Sequence, residues 1–78
     1  MKLATMQAEH NARSTELRRR VRDRNSAMHN WRVMFQSGEI PVKKFRSGNE
    51  KFRAAAMEDR RLAEAAGISL HIATPDQP

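Results

Sequence analysis

At 78 residues, with 15 Lys and Arg against 9 Asp and Glu, the chain has a formal net charge of +6 and room for one small domain. It contains no cysteine, so neither a disulfide framework nor a thiolate metal site can support the fold. No stretch approaches the roughly 18 apolar residues of a membrane-crossing helix, and Met1 to His10 lacks the apolar run of a signal peptide; a soluble, cytoplasmic protein is expected.

From Lys2 to Gln36 there is neither proline nor glycine, and good helix formers predominate. Leu17, Val21, Met28, Trp31 and Phe35 recur on one face of the helix this predicts, and Arg24 stands where that stripe calls for an apolar residue. Upstream the stripe thins to Leu3, Gln7, His10 and Ser14, so the first three turns are expected to fray or project. Ser37-Gly38 supplies a left-handed helix stop, and Pro41 is expected at the first position of a second helix. That helix runs from Val42 to Ala66, interrupted only by Gly48, with Phe45, Phe52, Ala55, Ala56, Leu62, Ala63 and Ala66 on its packing face. Gly67 ends it and places Ile68 where a Schellman cap takes an apolar contact. Ile68, Leu70 and Ile72 then alternate, reading either as a short strand or as a strap across the helices, and the last residues read as disordered.

The expected fold class is all-α: an antiparallel two-helix hairpin, residues 1–67, with a short extended C-terminal tail, residues 68–78. Trp31, Phe35, Ile40, Phe45 and Phe52 are expected to cluster at the closed end, while Leu3 and Met6 face alanines and the tail at the open end. A chain this small without staples often self-associates, so dimerisation into a helical bundle is part of the expectation.

The turn region, Asn30 to Ala54, resembles the SHOCT type of short helical hairpin over about a third of the chain. The matching features are Gly38, Ile40, a helix-starting position at Pro41, and the aromatics Phe45 and Phe52 seven residues apart. Pro41 replaces the usual Thr or Ser, and Val42-Lys43-Lys44 is basic where acidic residues are usual. The resemblance implies a module that oligomerises or is appended to other domains.

The chemistry on offer is that of binding. Arg18, Arg19, Arg20, Arg22 and Arg24 crowd the first helix, and Lys43 and Lys44 open the second, opposing its macrodipole. Arg18 and Arg22 share one side of the helix, whereas Arg13, Arg20 and Arg24 share the flank near the packing face. One reading makes these cations phosphate contacts on nucleic acid; the other makes them a solvated face, with Glu16–Arg20 and Arg19–Asp23 as helical ion pairs. The histidines His10, His29 and His71 are too far apart for a metal site, and no nucleophile–base or carboxylate pair stands out, so neither enzyme activity nor a cofactor is expected. Trp31, Met34 and Phe35 are candidates for a protein interface, with Trp31 and Phe35 defaulting to core.

Two functions therefore remain in view. The leading one is a basic, non-enzymatic module that contacts nucleic acid or a nucleoprotein assembly through the arginine-rich helix. The alternative is a protein-interaction or oligomerisation module, such as an accessory protein of a phage or mobile element that docks through Trp31, Met34 and Phe35 on a larger host machine and modulates it; the expected partner is nucleic acid or an acidic protein surface, besides a second copy of the chain. Neither a membrane nor a small-molecule substrate is expected as a partner.

Overall fold

The structure, a computed structural model, describes residues 2–75, with side chains described from residue 6 onward except at position 8. The tail's last residues, 76–78, and the side chain of Leu3 lie outside the described set. Two helices, α1 (Lys2–Gln36) and α2 (Val42–Ala66), pack side by side in a rod about 56 × 17 × 15 Å. Contacts pair rising numbers on α1 with falling numbers on α2: Leu17 with Ala63, Arg20 and Arg24 with Asp59, Phe35 with Phe45. The fold is thus an all-α antiparallel hairpin.

Both helices end in the same way, for the same local reason. Gly38 (φ 83°) and Gly67 (φ 66°) adopt the left-handed conformation that residues with a Cβ resist. Each closes a Schellman cap. Gly38 N–H donates to Phe35 O at 3.1 Å and Glu39 N–H to Met34 O at 2.9 Å; Gly67 N–H donates to Glu64 O at 3.1 Å and Ile68 N–H to Ala63 O at 2.9 Å. Pro41 stands one residue earlier than expected: it is the N-cap (φ −67°, ψ 153°), and its carbonyl accepts the first helical hydrogen bond, from Phe45 N–H at 3.0 Å. Its fixed φ and extended ψ turn the chain by keeping it out of the helical region until Val42.

The packing seam has a 3.5-residue period on both helices. On α1 the buried or half-buried positions Ser14, Leu17, Val21, Arg24, Met28, Trp31 and Phe35 follow alternating steps of three and four, with Asn25, under the strap, half-buried beside them. On α2 the same spacing runs through Phe45, Asn49, Phe52, Ala56, Asp59, Ala63 and Ala66, with Gly48, Arg53 and Ala55 half-buried beside it. Sustained three-four spacing is the signature of coiled-coil packing, which keeps one stripe of each helix against the other. Two seam positions on α2 are polar, and this corrects the expected packing face: Asn49 and Asp59 are buried, whereas Leu62 faces solvent. Met6 is also exposed instead of packing at the open end, because α2 ends beside residues 10–17 of α1, short of Met6.

The aromatic cluster at the closed end forms as expected. Phe35 and Phe45 stack with centroids 4.1 Å apart, and Trp31 lies 6.3 Å from Phe45 and 6.5 Å from Phe52. The Trp31 Nε1–H donates to Phe45 O at 3.2 Å, so the indole buries its apolar body and still satisfies its donor. Gly48 makes this possible: a Cβ there would stand 2.5 Å from Trp31 Cζ2. The tail is a strap, and no strand occurs among the described residues. Ile68, Leu70 and Ile72 cover the small core of Leu17, Val21 and Ala63.

Candidate nucleic-acid interface

The arginines of α1 divide into two groups with different roles. Arg20 and Arg24 both bind the carboxylate of Asp59, Arg20 through Nη2 to Oδ1 and Arg24 through Nη1 to Oδ2. Asp59 is 1% exposed and the Arg24 side chain 9%, so this ion pair is buried in the seam, while Arg20 reaches it from the edge with 49% of its side chain exposed. Burial alone would push the Asp59 carboxyl up, but hydrogen bonds from Arg24 and Arg20, with their charges, bring it below the ordinary carboxylate value. The Nε and Nη2 of Arg24 are buried and meet no acceptor among the described residues. Arg24 therefore holds the hairpin together and does not present a fork to a ligand, which removes it from the phosphate-contacting set. Asp59 escaped the sequence reading because its partner lies 35 residues away; the signal was Arg24 itself, a cation in an apolar stripe that required a buried anion opposite.

The exposed cations are those remaining. The expected Glu16–Arg20 and Arg19–Asp23 pairs do not form, since Arg20 turns to Asp59; Glu16 instead holds Arg19 at 2.7 Å, one residue short of the predicted step. Arg22 is 76% exposed and passes 3.8 Å from Asp23, itself 69% exposed, a contact of little strength in water. Arg18 is exposed as well, as are Lys43 and Lys44 at the start of α2.

At about 100° per residue, α1 sorts its charges by flank. Glu9, Glu16 and Asp23, seven residues apart, stand on one side of the seam together with Arg13, Arg20 and Met34. Arg18, Arg22, Asn25, His29 and Arg32 stand on the other, which carries no acidic residue from Asn11 to Gln36. The strap lies along this second flank. Asn25 Nδ2 donates to His71 O at 3.1 Å, and Asn25 Oδ1 accepts from Ala73 N–H at 3.3 Å, so one side chain completes two backbone groups of the strap. From α2, Arg60 Nη2 reaches Ile72 O at 3.5 Å. Beyond the strap, a groove of about 340 Å³ opens to solvent among His29, Arg32, Phe35, Phe45, Asn49 and Pro75.

Of the residues expected at a protein interface, Trp31 and Phe35 belong to the internal aromatic cluster, whereas Met34 is exposed beside the turn, with Val33 and Val42 exposed near it in sequence. Among the described residues no group of three His, Asp or Glu side chains is placed to hold a metal ion. Nor is any described helix long and apolar enough to cross a membrane.

No family model matches this chain, and no curated protein or solved structure matches it either.

Proposed function

We propose that the protein is a small, non-enzymatic binding module that contacts nucleic acid through the exposed arginines of its first helix. The observation that carries this reading is the separation of charges on α1: two arginines are consumed by the buried Asp59, and the others remain at the surface, with Arg18 and Arg22 on a flank that bears no acid. A rod of net charge +6 with such a flank attracts a polyanion, and the gain comes from releasing the polyanion's condensed counterions. Fluorescence anisotropy of a labelled duplex titrated with the protein at low salt is the direct test. Saturable binding is expected, and its absence would remove the reading.

Exposed Met34, with Val33 and Val42, favours a second reading: a docking module for a protein partner or a second copy. Among the described residues six apolar side chains are buried, a small core that also suits self-association. The readings part on substitution. Met34→Asp would abolish a protein complex and leave nucleic-acid binding unchanged, whereas loss of the surface arginines would do the reverse.

A further inference from the structure

We infer that the nucleic-acid site is the acid-free flank of α1 alongside the strap, and that it takes the phosphate backbone of a duplex without reading bases. This rests on the nucleic-acid reading above and narrows it to one face and one mode. Arg18, Arg22, His29 and Arg32 follow one another along this flank in steps of four, seven and three, spanning about 21 Å of straight helix. The opposite flank of α1 repeats an acid at Glu9, Glu16 and Asp23, which would repel phosphates brought to that side. The α2 edge of the strap is mixed, because Glu50 and Glu64 stand among Arg46, Arg53 and Arg60. The acid-free surface is therefore that of α1, extended by the exposed His71 of the strap.

The mode follows from the aromatics. Single-stranded nucleic acid is held largely by bases stacked on exposed rings. Here Phe45 is buried, and Trp31, Phe35 and Phe52 are half-buried against it or against one another, so none of the described aromatic rings stands fully exposed as a stacking platform. Arginines on a rigid helix flank supply charge and forked donors at fixed spacing, which suits a duplex backbone. The strap also has a part: Asn25 and Arg60 tie it down, so it forms a fixed rim to the flank and does not compete with a ligand for Arg18 or Arg22.

The test compares two double variants of equal charge in the full chain: R18Q/R22Q on the acid-free flank, and R13Q/R19Q, in which Arg13 stands on the acid-bearing flank and Arg19, on the back of the helix, is held by Glu16. All four positions are exposed, and circular dichroism verifies that each variant keeps its helix. Wild-type protein is first titrated into labelled duplex and into single strand of the same sequence. The expected result is a preference for duplex and a loss on the order of tenfold for R18Q/R22Q at about 0.1 M salt, its salt slope shallower by about two. R13Q/R19Q is expected to lose less than about threefold. Equal losses in the two variants would overturn the flank assignment while leaving nucleic-acid binding intact, and a preference for single strand would overturn the backbone mode. Failure of the wild type to bind any nucleic acid at low salt would instead remove the reading on which the inference rests and point to an acidic protein surface.

Discussion

Replacing Asp59 by alanine leaves Arg24 as a buried charge with nothing to pair with. Arg24 has 9% of its side chain exposed, and two of its three nitrogens already lack an acceptor among the described residues. Removing one partner of such a pair costs about 3–5 kcal/mol, most of it the penalty of the orphaned ion. Arg20 adds at most about 1 kcal/mol, because its half-exposed head returns to water. A domain of this length has a total stability of roughly 4–12 kcal/mol, so Asp59→Ala removes about a quarter of it or more. Urea denaturation followed by circular dichroism at 222 nm, with Trp31 fluorescence as a second probe, measures the loss and tests for two-state behaviour. The companion variant Arg24→Leu with Asp59→Leu replaces the pair by apolar side chains and is expected to be neutral or stabilising by about 1–4 kcal/mol. If Asp59→Ala costs less than about 1 kcal/mol, or the double variant costs as much as the single, the argument from burial is wrong.

The same carboxylate predicts an acid transition. Its native value lies below the ordinary one, so its stabilising contribution is full above the unfolded-state value of about 3.9 and is lost as pH falls through the depressed native value; urea midpoints should drop steeply below about pH 4, and less so in Asp59→Asn. Gly48→Ala, stabilising by about 1 kcal/mol in an ordinary helix, should here destabilise by roughly 1–3 kcal/mol and shift Trp31 emission, because the new methyl meets the indole. Asn25→Ala removes both hydrogen bonds to the strap, and faster amide exchange at Ala73, with a loss of about 1–2 kcal/mol in stability, is expected; unchanged exchange would mean that Ile68, Leu70 and Ile72 hold the strap unaided.

The buried pair also accounts for how the helices find their register. Sliding α2 by one heptad would set Asp59 against the seam at Leu17 or Trp31, apolar neighbours that cannot satisfy a carboxylate. An apolar seam largely of alanines on α2 discriminates weakly between such alignments, so the ion pair contributes specificity in a place where it adds little net stability. The double variant tests this too: a broadened or multiple set of amide resonances in an otherwise stable hairpin is the expected signature of lost register.

Much of this architecture was legible in the sequence. Gly38 and Gly67 marked the helix ends because their left-handed caps leave so few alternatives, and the α1 stripe from Leu17 to Phe35 named one side of the interface. What escaped notice was polar. Apolar residues alone draw the α2 face through Leu62 and past Asn49 and Asp59, although the three-four spacing runs through both of them. Gly48 could be seen but not explained, since its reason is the Trp31 ring arriving from the other helix. Arg18 and Arg22 were placed together on one side by simple helical geometry. Which side the tail would choose was not readable, because the tail's placement depends on Asn25, whose amide gives no periodic signal.

The nucleic-acid claim is tested most directly by titrating the wild-type protein into a labelled duplex over a series of salt concentrations and plotting log Kobs against log salt. Contacts from Arg18, Arg22 and their neighbours to several phosphates predict a straight line falling by about 0.9 per phosphate neutralised, unchanged when the duplex sequence is scrambled. A flat line, or no binding at the lowest salt, would contradict the account and turn attention to a protein partner at Met34.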